Sequence, residues 1–263
     1  MADETSDIPK YAEPTNDEEF RNRYGEQVGL GQSAIIYARD GKAAKVYRES
    51  QPRTQAFMEA FYLAQVGDLG IPCPNVYGVE TFQGRTAVIM DQVKGQSLLD
   101  IMMADPGRVS ECLDKVVEMQ VAMHKVTVCC FRPLKMVLAG NIAMSPGLTP
   151  EEKDGLNTKL AALPDGLAIC HGDFHGGNIL FDGTSYLIID WAEVACGSPT
   201  GDACRTYMDY AMGRKDVAEW YLQKYCAASG LSRDEILAWL PVMAGSIYGY
   251  LSEDWKKQIR WMF

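Results

Sequence analysis

The spacing of apolar and polar positions changes character near residue 93. Residues 26–39 carry strand-forming side chains on both sides of a glycine-rich centre, Gly29-Leu-Gly-Gln-Ser33. Asp40-Gly41 is a hairpin-turn pair, and 42–47 reads as the returning strand. Residues 53–66 switch to helical period, with Phe57, Phe61 and Ala64 on one face and Glu59 off that line. Two further strands, 76–80 and 86–90, flank Gln83-Gly84. Beyond Lys94-Gly95 the period is mostly helical: an amphipathic stretch over 109–126, a shorter one over 150–163 stopped by Pro164, then 203–212, 216–229 and 233–260. One hairpin interrupts these helices, pairing 178–181 with 186–189. The pattern predicts an α+β chain with a small β-rich N-lobe over 23–93 and a larger helical C-lobe over 94–263.

The bulk numbers narrow the class. At 263 residues, 47% hydrophobic and 23% charged, the chain has the composition of a globular protein large enough for two lobes. No apolar run approaches eighteen residues, so no membrane partner is expected. The start lacks the basic-then-apolar order of a secretory signal, and the eight cysteines form no CxxC pair. Buried thiols in a cytoplasmic protein fit both facts. Net charge is −10, and the first twenty residues hold seven acids against one lysine. Residues 1–22 are therefore expected to be an acidic, flexible tail. A chain so poor in clustered cations is not expected to bind nucleic acid.

The densest chemistry lies in His171-Gly-Asp-Phe-His-Gly-Gly-Asn-Ile-Leu180, followed by Ile189-Asp190-Trp191. His171 and His175 have the spacing of a helical zinc pair, but Gly172, Gly176 and Gly177 each oppose a helix by about 1 kcal/mol. A purely structural turn leaves Asp190 unexplained. Phosphoryl transfer accounts for more. It needs magnesium to neutralise phosphate charge, a lysine to position the phosphates and a carboxylate beside the incoming hydroxyl. Magnesium takes a few hard oxygen ligands and keeps several waters. In that reading Asp173 accepts the hydroxyl proton, Asn178 ligates metal, and Asp190 ligates or bridges it.

These motifs resemble the aminoglycoside phosphotransferase and choline kinase superfamily, which has a bilobal protein-kinase-like fold. The resemblance runs from about Val28 to the C-terminus. It implies ATP or GTP and Mg2+ as cofactors. It also implies phosphate contacts at Gly29, Gly31 and Ser33, a phosphate-binding Lys45 paired with Glu59, and a hinge at Met90, Asp91 and Val93 against the base. His124 would brace the catalytic loop, and Asp202 would cap a helix and organise that loop. Between Asp190 and Asp202 there is no room for a protein-kinase activation segment, and no Ala-Pro-Glu follows, which points to a small hydroxyl acceptor. The resemblance places that acceptor near Glu193, Trp191 and Asp202, with Asp209, Tyr207, Trp255 and Trp261 close by. An aminoglycoside-like antibiotic is the favoured acceptor. The alternatives are a metabolic sugar or amino alcohol and, ranked last, a silent nucleotide-binding module. A monomer or homodimer is expected.

Overall fold

The computed structural model describes residues 17–263, so residues 1–16 of the expected tail lie outside it. The remainder of that segment is no tail. Asp17–Tyr24 forms helix α1, with acids in its first turn and arginines in its last, the arrangement that suits the helix dipole. Phe20 and Tyr24 are buried, Phe20 meets the Phe82 ring edge-on at 5.4 Å, and the Tyr37 hydroxyl donates to Asp17 Oδ1 at 2.6 Å.

The chain divides into two compact units, one running through Asp68 together with Cys73–Val93, the other Leu69–Pro72 with Lys94–Phe263. The first holds α1, strands β1 (Glu26–Leu30), β2 (Ala34–Arg39) and β3 (Lys42–Tyr47), helix α2 (Arg53–Asp68), and strands β4 (Val76–Phe82) and β5 (Arg85–Asp91). The strands form one antiparallel sheet in the order β1-β2-β3-β5-β4. Side chains alternate across it. Ile35, Tyr37, Ala44 and Val46 pack with Phe20 of α1, whereas Ala34, Tyr47 and Val88 pack with Ala56 of α2. Lys45 lies between Ala44 and Val46 in sequence and so faces α2.

Helix α2 buries a different stripe from the expected one. Phe57 and Phe61 are 52% and 53% exposed, while Ala56, Glu59, Leu63 and Val66 are buried. The apolar count misassigned the face because a buried carboxylate holds it, through its pairing with Lys45.

The second unit contains β6 (Gln96–Ser97), α3 (Leu98–Ala104), α4 (Val109–His124), α5 (Leu134–Met144), α6 (Pro150–Ala162), β7 (Ala168–Cys170), β8 (Ile179–Phe181), β9 (Tyr186–Ile188), β10 (Ala195–Gly197), α7 (Pro199–Gly213) and α8 (Lys215–Ser229). It ends in α9 (Arg233–Leu237), α10 (Leu240–Ile247) and α11 (Glu253–Ile259). The continuous helix expected over 233–260 is thus three pieces, with Pro241 in the first turn of α10 and Ser252 capping α11. Helices α3 and α6 begin in capping boxes, Ser97 with Asp100 and Thr149 with Glu152. Two small ladders frame the motif segment: β6-β8-β9, and β7 antiparallel to β10. Among the described residues no helix is long and apolar enough to cross a membrane.

Candidate active site

The HGD segment leaves the end of β7 and turns back through a 3-10 turn, Gly176–Asn178, into β8. Its first residue is a brace. His171 is fully buried; its Nε2 donates to the Ile189 carbonyl at 3.0 Å, and its Nδ1 accepts the Asp173 N–H at 3.2 Å. Burial lowers the His171 pKa, and the two bonds together require the neutral, Nε2-protonated ring. Gly172 has φ +83, and a Cβ there would stand 2.7 Å from the Glu193 carbonyl oxygen, so only glycine makes this turn.

The hairpin brings the two candidate metal-ligating ends together. Ile179 pairs with Ile188, and the Ile189 N–H donates to the Asn178 carbonyl at 2.9 Å, so Asp190 follows directly on a residue bonded to Asn178. The Asn178 amide nitrogen donates to the Asp173 carbonyl at 2.8 Å, which leaves Oδ1 as the amide atom suited to a cation. Asp190 sits in the left-handed region, φ 63 and ψ 60, and its side chain is exposed. For a residue with a Cβ that conformation costs about 1–3 kcal/mol, a strain that recurs at functional positions.

Asp173 is clamped by a residue that the sequence reading passed over. Arg205 Nη2 donates to Asp173 Oδ1 at 2.8 Å, and Arg205 Nε reaches both oxygens of Asp209 at 3.1 and 3.0 Å. On the other side His175 Nε2 lies 3.7 Å from Asp173 Oδ2, an ion-pair distance too long for a hydrogen bond. Burial pushes the Asp173 carboxyl up, but His175 and Arg205 outweigh it and hold the group well below the usual carboxylate range. Burial likewise opposes the Arg205 charge, and Asp209 and Asp173 more than restore it. The His175 Nδ1 accepts the Gly177 N–H at 3.0 Å, which caps the 3-10 turn.

Asp202 organises the loop from beneath. Its Oδ1 accepts the Gly172 N–H at 2.7 Å; its Oδ2 accepts Gln120 Nε2 at 3.0 Å and His124 Nε2 at 2.9 Å. Tyr225 bonds the other His124 nitrogen at 2.7 Å, and the Tyr221 hydroxyl donates to Gln120 Oε1 at 2.6 Å. Burial would raise the Asp202 carboxyl, yet His124 leads a set of partners that lowers it overall. Helices α4, α7 and α8 are thereby tied to one backbone amide of the loop. His124, Cys170 and Asp202 also have ligand atoms within 4.8 Å of one another. That cluster does not suit magnesium, because imidazole and thiol are softer ligands, burial raises the Cys170 thiol pKa well above normal, and Asp202 is already saturated.

In the first unit, Lys45 Nζ meets Glu59 Oε1 at 2.8 Å, with both side chains buried. The Gly31 N–H donates to the Ala34 carbonyl at 2.9 Å, and Arg48 holds the Gly31 and Gln32 carbonyls at 3.1 and 3.0 Å. Ser33 accepts the Arg48 N–H through its carbonyl at 2.9 Å, while Gly29 lies in β1 beside a bulge. At the hinge, the Asp91 and Gln92 N–H groups are taken by the carbonyls of Asn75 and Gly41. The Asp91 carboxylate accepts the Asn75 amide at 2.7 Å and the Tyr77 hydroxyl at 2.5 Å, so it locks β5 to β4. Met90 is half-buried beside it.

Two expected acceptor contacts are corrected. Trp191 is 1% exposed, with its Nε1 donating to the Ile188 carbonyl, and Asp202 is 1% exposed inside the network above. Neither reaches a ligand. Nor is Asp202 the cap of α7, which starts at Pro199 with Ser198 as cap. Glu193 is exposed, and its charge acts on Arg205. Tyr207 is buried against Glu219, whereas Trp255 and Trp261 lie on the exposed C-terminal pieces. Arg205 and Asp209 had one legible signal, their i,i+4 spacing on a helix. The reach to Asp173 became visible only once β7 and α7 were in place.

Residues 25–239 match the Phosphotransferase enzyme family, and the chain belongs to it. No curated protein matches in sequence. Solved structures share its fold at low identity. Aminoglycoside-3'-phosphotransferase of type VIII is 17% identical with a TM-score of 0.65, covering 87% of this chain and 97% of its own. A choline/ethanolamine kinase family protein from Mesorhizobium loti is 15% identical at 0.62, covering 90% and 87%. Aminoglycoside phosphotransferase APH(3'')-Id from Streptomyces rimosus is 16% identical at 0.60, covering 84% and 92%. The fold is therefore the bilobal, protein-kinase-like one, and family membership makes the chain a phosphotransferase in general terms without naming an acceptor.

Proposed function

We propose that the protein transfers the γ-phosphate of ATP or GTP to a hydroxyl of a small molecule, with magnesium, and that Asp173 is the base. The observation that carries this reading is the state of Asp173. Arg205 and His175 hold its carboxyl well below the usual carboxylate range, Arg205 clamps it, and its loop carries Asn178, whose carbonyl is bonded by the residue before Asp190. Those two residues fit magnesium by their chemistry: an amide oxygen and an exposed carboxylate are hard donors. When bound there, the ion would neutralise phosphate charge. Lys45, oriented by Glu59, would contact the phosphates; Gly29, Gly31 and Ser33 would line them, and Met90 and Val93 would meet the base.

The acceptor hydroxyl gives its proton to Asp173 as its oxygen bonds the γ-phosphorus. The bond from that phosphorus to the β,γ-bridging oxygen breaks, and the nucleoside diphosphate leaves with the electron pair. Asp173 Oδ1 is held by Arg205, so Oδ2, with contacts of 3.4 Å to Asn178 and 3.7 Å to His175, is the proton-accepting oxygen. A carboxylate of depressed pKa has little proton affinity until the new bond is well advanced, which suits a loose, late-deprotonating transition state.

Between the two acceptor readings, the metabolic one has a specific observation in its favour. An aminoglycoside-like polycation needs carboxylates without partners, and Asp209 beside Asp173 is already paired with Arg205. The test is a screen for ADP or GDP release, with ATP and GTP offered separately with magnesium against aminoglycosides, amino alcohols, sugars and nucleosides. A small-molecule acceptor should give turnover that Asp173→Ala cuts by at least ~10²-fold with nucleotide still bound. Near-normal turnover in Asp173→Ala would remove that residue from its role, and transfer to folded proteins alone would overturn the small-acceptor reading.

A further inference from the structure

Next to Asp173 the second unit contains a cavity of about 570 Å³, within the few-hundred to 1,000 Å³ of small-ligand sites. It lies among α3, the start of α4, the end of α7 and the start of α8. None of the residues expected at the acceptor lines it except Asp173 and Asp209. Its wall is mostly apolar, with Met102, Val109, Tyr210 and Val217 buried around it. At its edge Met103 and Leu99 are 74% and 37% exposed, apolar surface that a ligand would cover. The Tyr210 hydroxyl is occupied, accepting the Gly176 N–H at 3.0 Å.

The charges at the cavity are few and nearly balanced. Asp173 and Asp209 share the single guanidinium of Arg205, and Arg214 is paired with Asp216, Nε to Oδ1 at 2.8 Å. His175 adds no negative charge, so two carboxylates against one guanidinium leave at most one net negative charge, and it belongs to the base. A molecule bearing several ammonium groups would lose its hydration here and find one carboxylate's worth of compensation. An apolar body loses nothing and gains about 25 cal/mol for each Å² covered.

We infer that this cavity is the acceptor site and that it takes a small alcohol with an apolar body, uncharged or carrying a single positive charge. The inference rests on the phosphotransfer reading, since Asp173 must deprotonate the bound hydroxyl. The hydroxyl enters at the Asp173 and His175 end, and the hydrocarbon part lies against Met102, Val109 and Val217. The proton, phosphoryl group and leaving diphosphate move as described above.

Gly213 supplies the test. It lines the cavity, its φ is ordinary, and a Cβ placed on it meets nothing within 4 Å. Gly213→Phe therefore adds a ring at the cavity without forcing the backbone. The full chain is assayed with MgATP or MgGTP against 2-phenylethanol, geraniol, choline and kanamycin. Saturation-transfer NMR of 2-phenylethanol is recorded in parallel, and thermal melting checks the fold of Gly213→Phe and of a milder Gly213→Leu. The expected result is phosphorylation of the apolar or singly charged alcohols but not of kanamycin, with acceptor KM raised by about tenfold or more in the filled variants. Tenfold corresponds to ~1.4 kcal/mol of lost binding. Kanamycin turnover unaffected by filling would overturn the inference and leave the phosphotransfer reading intact. NMR binding lost on filling, with no transfer to any probe, would support the cavity and count against phosphotransfer. Neither binding nor transfer would overturn both.

Discussion

Replacing Arg205 by alanine probes the base most revealingly. Arg205 acts through Asp173 and Asp209. The side chains of the Arg205–Asp173 pair are 22% and 32% exposed, so the pair is neither a surface bridge nor fully dry. Breaking a buried pair costs about 3–5 kcal/mol and an exposed one under ~1, which brackets this site at about 1–3 kcal/mol of stability. Asp209 would also lose its partner, although burial already pushes its carboxyl up. With Asp173 no longer clamped, kcat should fall by about 10- to 100-fold, the penalty for a base misplaced by roughly an ångström. The pH profile separates positioning from general damage. The Asp173 carboxyl lies below its ordinary value, so the active ionised form persists as pH falls until the depressed folded pKa is reached. Removing the guanidinium raises that pKa, so the acid limb of kcat/KM must move to higher pH, while Arg205→Lys should restore part of the shift. The assay is nucleoside diphosphate release against pH, alongside a melting curve. An unchanged acid limb with an unchanged kcat would show that Arg205 does not position Asp173.

Other outcomes follow from the same geometry. Lys45→Met should raise the nucleotide KM by about 10- to 100-fold with the acceptor KM little altered, measured with both substrates varied. Asp202→Asn should lower stability by about 3–5 kcal/mol, read from urea denaturation, because it strips a buried ion and leaves His124 and the Gly172 N–H poorly matched. The contribution of Asp202 has a defined sign: its folded pKa is depressed, so its stabilisation is complete above the unfolded carboxylate value and is lost as pH falls through the folded one. A stability profile in which Asp202→Asn is relatively worse in acid than at neutrality would contradict that. Gly172→Ala should cost at least ~1–3 kcal/mol and most of the activity, since φ +83 and the Glu193 carbonyl both exclude a Cβ.

How much of this was legible in the sequence depends on range. The strands about Asp40-Gly41 and Gln83-Gly84 announced themselves through turn residues, and the 178–189 hairpin did so through Asp182-Gly183. Lys45 could be placed because strand alternation fixes its face. Glu59 could be paired with it only through the resemblance, since helical periodicity put the carboxylate outside and Phe57 inside. Strands β7 and β10 are three residues each, too short for any period, yet their ladder frames Asp173. The role of Arg205 joins residues 32 positions apart across that ladder. The cavity beside Asp173 was illegible for the same reason, because its apolar lining comes from four separate helices.

The proposed phosphoryl transfer requires nucleotide binding that depends on magnesium held by Asp190. That dependence is measured by isothermal titration of ATP and GTP, each with and without magnesium, into the wild-type chain and Asp190→Ala. At least one nucleotide should bind the wild type more tightly with magnesium, and Asp190→Ala should abolish this gain. Binding that ignores magnesium, or a magnesium gain that survives Asp190→Ala, would contradict that dependence.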